Sequence, residues 1–176
     1  GGIGSTVPTY TTSTDVEFAD GTTWAAAVCM VPWQLYTQYG DTQIIRENFD
    51  TMKAWLDGMD SFDFEANGKT YTGLSGKTTG LADWLSIDGN TTSDIVNNAI
   101  YIYMMEVTAI MADEIGETEY AQTLRDRHDL AKQTILHLKT SLDFCWKIRF
   151  SLSFFHSTGV PRIPSSVNDS RRTFTI

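Results

Sequence analysis

Carboxylates are the residues of this chain with the most chemistry to offer. Asp15, Glu17 and Asp20 stand together before the first strongly apolar run, and Asp57, Asp60 and Asp63 follow at three-residue steps further along. Two carboxyl groups held a fixed distance apart do general acid and base work, one giving a proton while the other takes one. Acid runs in polar surroundings are more commonly solvated faces or turn residues, and both clusters are read that way. Asp83, in Ala82-Asp83-Trp84-Leu85, reads on its own as a loop aspartate that caps or orients its turn. Nucleophile chemistry finds no support, since there is no G-x-S-x-G elbow and no glycine loop to cradle a phosphate. His128, His137 and His156 lack the spaced partners of a metal site, so neither metal nor cofactor is implied. Cys29 and Cys145 lie far apart in apolar stretches and are read as small buried hydrophobes rather than as a disulfide.

Charge excludes one class of partner. With 13 Lys+Arg against 22 Asp+Glu the net charge is -9, and nucleic-acid binding needs clustered cations, so none is expected. A chain of 176 residues that is 41% hydrophobic and 20% charged suits one globular domain or a piece of a larger one. The longest apolar run, Trp24 to Trp33, falls short of the ~20 residues that span a bilayer, so no membrane span is expected. The chain opens on Gly1-Gly2 with no basic-then-apolar start, and is read as an excised segment whose address is unknown.

The elements that would position these residues are helices. Residues 1–20 are a Gly-, Ser- and Thr-rich lead-in. Trp24 to Tyr39 is apolar almost all round and is expected to be buried on every side, with Pro32 either kinking it or opening its regular part. Gly40-Asp41 supplies a C-cap and then an N-cap, hence a tight turn. Ile44, Ile45, Phe49, Met52, Trp55 and Leu56 recur at three- and four-residue steps, a one-faced helix over 41–57. Residues 58–90 read as a long loop with many glycines, a length that is usually functional. Thr91-Thr92-Ser93-Asp94 then offers capping groups for a second all-round apolar helix over 94–115, in which Tyr101, Tyr103, Met104 and Met105 read as core. Gly116 stops it, and Tyr120, Leu124, Ala131, Ile135 and Leu138 form the stripe of a second one-faced helix.

Alternation of fully apolar with half-apolar helices points to an inner ring wrapped by an outer ring. The expected fold is all-α, a partial (α/α)6 toroid of antiparallel helical hairpins. Two hairpins are too few to close such a ring, because each unit covers its neighbours' apolar faces. Self-association is therefore expected, through exposed residues among Trp33, Tyr36, Tyr101 and Met105. Residues 139–176 break the pattern. They hold six Lys+Arg against two Asp+Glu, where residues 1–138 hold seven against twenty. Trp146, Ile148, Phe150, Leu152 and Phe154 alternate with polar residues as a strand does, so this atypical tail is expected either to form strands or to be foreign to the fold.

Three motifs carry a resemblance. Gly21-Thr-Thr-Trp24-Ala-Ala-Ala, running into Pro32-Trp33-Gln-Leu-Tyr36-Thr-Gln-Tyr39-Gly40-Asp41, resembles the catalytic domain of the α-L-rhamnosidases of glycoside hydrolase family 78. So do Gly80-Leu-Ala-Asp83-Trp84-Leu85, similar to the family's GDWL loop, and Ile110-Met-Ala112-Asp-Glu-Ile115-Gly116, similar to its A-x-x-LG helix end. The likeness covers residues 15–138, and residues 1–138 are taken as a fragment of the domain. Two positions depart from it: Ala26 stands where the family commonly has Asp, and Ala82 where its loop has Gly.

The resemblance implies a fragment of an enzyme that hydrolyses terminal α-L-rhamnosyl linkages with inversion, acting on a rhamnose-containing carbohydrate. It places the acid's motif before residue 1 and the base's beyond the matching region, so no catalytic residue is expected here. It assigns Trp24 and Trp84 to an apolar wall facing the sugar, where flat rings suit the 6-deoxy methyl and C–H faces of rhamnose, and it lets Asp83 accept from a sugar hydroxyl. Ordinary core packing is the alternative for each tryptophan. A related toroid glycosidase and a non-catalytic helical interaction module are the alternatives for the whole.

Overall fold

The computed structural model describes residues 22–66, 68–77, 82 and 91–141, with side chains to Leu138. Its elements are α1 (Thr22–Ala25), α2 (Ala27–Tyr39), α3 (Gln43–Asp60), β1 (Asp63–Ala66), β2 (Lys69–Ser75), α4 (Ser93–Ile115) and α5 (Thr118–Ser141). The fold is mostly helical, with two antiparallel hairpins, α2/α3 and α4/α5, stacked as a partial toroid. Residues 142–176, where strands were expected, lie outside the described residues.

Glycine closes both hairpins. Gly40 has φ 68° and donates its N–H to Tyr36 O at 2.8 Å. Gly116 has φ 90°, and the bond from Glu117 N–H back to Ala112 O at 2.8 Å completes a Schellman turn. These left-handed backbones are costly for any residue with a Cβ. The expected N-caps are used differently. Thr42 is the cap residue of α3, while Asp41 accepts the N–H of Gln43 at 2.8 Å from one residue further out. Thr92 has the extended backbone of a cap, but its hydroxyl makes no capping bond.

Burial separates the layers. α4 buries residues all round, from Ile95 to Ala112, whereas α3 and α5 bury single stripes: Ile45, Phe49, Met52, Trp55, Leu56 and Met59 on one, Ala121, Leu124, Ala131, Ile135 and Leu138 on the other. By length and composition alone α4 is able to cross a membrane, although 67% of its most apolar stretch is buried inside the protein. α2 corrects the expectation of burial on every side. Pro32, Trp33 and Tyr36 face the core, while Trp24, Val31, Leu35 and Tyr39, close to one helical stripe, are exposed. The residues expected to be uncovered are the covered ones, because Trp33, Tyr36, Tyr101 and Met105 are all buried. Hydrophobicity reports that a helix seeks neighbours, not which of its sides finds them. Pro32 sits inside α2 without ending it.

Residues 58–90 are not one long loop. α3 runs on to Asp60, and β1 and β2 pair antiparallel with Phe64 opposite Tyr71 and Glu65 opposite Thr70. Between the pairs Asp63–Ser75 and Phe64–Tyr71 the register shifts, which places the extra residues of β2 in a bulge. The bulge lies on α5: Thr134 Oγ1 donates to Thr72 O at 2.9 Å, and Gly73, at φ 86°, leaves no room for a Cβ against Leu130 and the Ala131 backbone.

Arg127 joins the layers. From α5 it donates to Asp57 at 2.8 Å, to Leu56 O at 2.8 Å and to the Tyr101 hydroxyl at 2.7 Å, and Tyr120 donates to Asp57 at 3.0 Å. Burial, partly offset by Arg127, pushes the Tyr101 hydroxyl up to about 12, so it stays protonated and donates a hydrogen bond to Asp60 at 3.4 Å.

Candidate functional site

Three contacts show which ends of the helices lie together. Thr22 at the start of α1 meets Met59 at the end of α3 (3.8 Å), and Tyr101 in the first half of α4 meets Asp60 (3.4 Å). Arg46 near the start of α3 donates to Ile115 O at the end of α4 (3.1 Å). α2 and α4 therefore point the same way and α3 runs against them. The N-terminal ends of both inner helices share one end of the molecule, together with the β-hairpin.

Trp24 stands at that end, on α1, with 51% of its surface exposed. Beside it Ala25 and Ala26 are buried. Ala26 is the single turn residue between α1 and α2, bonded through its N–H to Thr22 O and through its carbonyl to Met30 N–H. Its methyl lies where the resembled motif carries a carboxylate, and in this chain that buried position is apolar.

Asp83 and Trp84 lie outside the described residues, as do Asp15, Glu17 and Asp20. What is described is where their segment begins and ends. Lys77 is held to α4 by a hydrogen bond from Asn97 Nδ2 to its carbonyl (2.8 Å), and Thr91 immediately precedes the cap of the same helix. Both ends of the segment are thus at the end that carries Trp24. Ala82 has φ 51°. A left-handed backbone costs an L-residue about 1–2 kcal/mol more than glycine, which supplies a physical reason for glycine in the resembled motif at this position.

The acids of the second cluster have structural partners. Asp57 and Asp60 are drawn to Arg127, and Asp63 opens β1. Asp63 also lines an open cleft of about 280 Å³ with Phe64, Glu65, Gly76 and Asp94, at the base of the hairpin. Among the described residues no group of three or more His, Cys, Asp or Glu side chains is placed to hold a metal. Cys29 is a free, buried thiol, pushed up to about 12 by burial, with the Thr108 hydroxyl pulling the other way. It has neither the exposure nor the electropositive neighbourhood of a reactive cysteine. Asn97 and Asn98, both fully buried in an apolar helix, escape a search for hydrophobic periodicity; two adjacent amides in such a setting were the available signal.

A model of the bacterial alpha-L-rhamnosidase six-hairpin glycosidase domain matches residues 1–138. The chain belongs to this family. Its relatives include an alpha-L-rhamnosidase of Streptomyces avermitilis, 31% identical over 94 residues, 53% of this chain and 8% of that protein. Another from Formosa agariphila is 26% identical over 107 residues, covering 57% of this chain and 11% of that protein. One from an Alteromonas species is 25% identical over 122 residues, or 64% and 12%. The chain thus spans 8–12% of the length of these relatives. No solved structure matches it significantly.

Proposed function

We propose that this chain is part of a glycoside hydrolase whose full-length form hydrolyses terminal α-L-rhamnosyl linkages of a carbohydrate. The family match over residues 1–138 carries the reading, and the names of the relatives supply the sugar. The mechanism is inversion: one carboxylic acid protonates the leaving oxygen and a second carboxylate activates water from the opposite face, with roughly 6.5–9.5 Å between them to admit that water. Residues 1–138 contribute a wall of the sugar subsite, and 139–176 stand apart from it. Trp24 and Trp84 form the apolar side of the pocket and Asp83 accepts from a sugar hydroxyl. The exposure of Trp24 at the end where the Asp83–Trp84 segment is anchored supports this arrangement.

Losing a stacking aromatic removes shape and buried area without touching acid or base, so binding suffers at least as much as chemistry. Aromatic contacts are worth about 0.5–1.5 kcal/mol beyond burial, which converts to roughly a three- to twelvefold fall in kcat/KM for Trp24→Ala or Trp84→Ala in the full-length enzyme. The preference for rhamnosides over mannosides should narrow as well, since the 6-methyl is the apolar feature that separates the two sugars. Folded variants that hydrolyse rhamnosides at the wild-type rate would place both rings outside the subsite.

The isolated chain is also proposed to self-associate, through α2. Val31, Leu35 and Tyr39 lie exposed on α2, a helix without a charged residue, while α3 and α5 are studded with them. Light scattering should show species larger than a monomer, and Val31→Glu with Leu35→Lys should return it to a monomer. A dilute wild-type monomer that binds no apolar dye would overturn this.

A further inference from the structure

α1 is four residues long, and it carries Trp24, the exposed ring proposed for the sugar subsite. So short a helix cannot hold a direction by itself in water, because a first turn fixes several dihedrals for one hydrogen bond. Its orientation is imposed by its neighbours. Ala26 N–H closes the turn on Thr22 O at 3.0 Å, Thr22 and Ala25 are fully buried, and Thr23 and Trp24 are exposed. Thr22 and Trp24 stand two positions apart, about 200° round an ideal helix, so whatever seats the first aims the second.

The seat is the last turn of α3. Thr22 Oγ1 donates to Met59 Sδ at 3.8 Å, and both side chains are buried. A thioether is a weak acceptor, but the bond has a direction that a contact between methyl groups lacks. That turn of α3 is clamped in its own right. Asp57 and Asp60, on either side of Met59 in the sequence, are drawn to Arg127 of α5 at 2.8 and 3.7 Å, and the same guanidinium donates to Leu56 O at 2.8 Å. Trp24 is thereby tied, through Thr22 and Met59, to a turn that another helix holds in place. We propose that Met59, with Thr22 bonded to it, is a positioning residue for the sugar subsite, fixing the angle at which α1 presents Trp24. This rests on the reading of Trp24 as substrate-binding and on no other residue of the subsite.

The test is steady-state kinetics of the full-length enzyme on a nitrophenyl rhamnoside, with Thr22→Val, Met59→Leu, Trp24→Ala, and each of the first two combined with the third. Valine keeps the outline of threonine without its hydroxyl, and exchange of methionine for leucine is among the best tolerated in a core. A ring that is misplaced loses part of what a ring removed loses, so Thr22→Val and Met59→Leu should each raise KM about two- to fivefold with kcat within about twofold. On the Trp24→Ala background neither should raise KM further, because the ring they aim is gone. A further rise there would mean that they act by another route, and would overturn the proposal. If Trp24→Ala raises KM while Thr22→Val and Met59→Leu keep the wild-type value, the subsite stands and the positioning role falls. A wild-type KM for Trp24→Ala overturns the subsite reading and this proposal with it. Should Thr22→Val fail to fold, Met59→Leu decides. Amide exchange in the present chain gives a readout free of sugar: Thr22→Val should speed exchange of the Ala26 N–H at least about threefold relative to α5. Equal acceleration everywhere would mean loss of global stability only, and would count against the positioning role.

Discussion

A nitrophenyl α-L-rhamnoside should go unhydrolysed by the 176-residue chain on its own. Glycosidic bonds are broken by two carboxyl groups set on opposite faces of the sugar, and enzymes gain roughly 10⁶–10¹⁷ over water, so losing the pair returns the rate to background. Several of the described acids are occupied otherwise. Asp57 and Asp60 serve the guanidinium of Arg127, Asp113 pairs with Arg125, and Asp41 accepts the first N–H of α3. The resemblance places both catalytic motifs outside the matched residues. Assay at micromolar protein against a heat-treated control decides the matter. Turnover that vanishes on Asp83→Asn would show that the chemistry resides in this segment after all.

Gly76→Ala should cost about 3 kcal/mol or more, at the upper end of what overpacking does. A Cβ at this position would lie 1.8 Å from Asp63 O and 2.6 Å from its carbonyl carbon. Those are backbone atoms, so no rotamer change relieves the contact. Either Gly76 releases Phe62 O or Ser75 gives up the two backbone hydrogen bonds it makes with the Asn98 side-chain amide, and in each case the base of the hairpin opens. For a domain of this size the loss corresponds to a fall in Tm of roughly 6–12 °C. Gly68→Ala is the instructive comparison. Its Cβ would meet nothing within 4 Å, and only its φ of 71° opposes the change, for about 1 kcal/mol. A Gly76→Ala protein as stable as Gly68→Ala would mean that the hairpin base is looser than described.

Much of the helical plan is legible because each signal is local. Gly40 and Gly116 announce the hairpin turns, and the three- and four-residue steps of α3 and α5 announce one-faced helices. The β-hairpin is harder to read. Asn67-Gly68, flanked by Phe64 and Tyr71, is a recognised hairpin signal, but the bulge after Tyr71 breaks the alternation that would have extended it, and the many nearby glycines read as loop. Interactions between distant residues were not legible at all. Arg127 finds Asp57 and Leu56 across three other elements, and Asn98 finds Ser75; neither pairing leaves a periodic trace. As for the site, Asp83 and Trp84 stand out through the resemblance of their motif and not through any spacing a physical argument would single out.

The two ends of the molecule are unequal as places for sequence change. At one end the hairpins turn through Gly40–Thr42 and Gly116–Glu117, each turn closed by a left-handed glycine, so an added residue there would have to dismantle a helix cap. At the other end residues 61–92 separate α3 from α4, and a whole β-hairpin is accommodated without disturbing either helix. Insertions, deletions and new loops are therefore admitted on the side where Trp24 is exposed and refused on the opposite side. Length can thus change at that end while the helices and their capped turns at the other keep their dimensions.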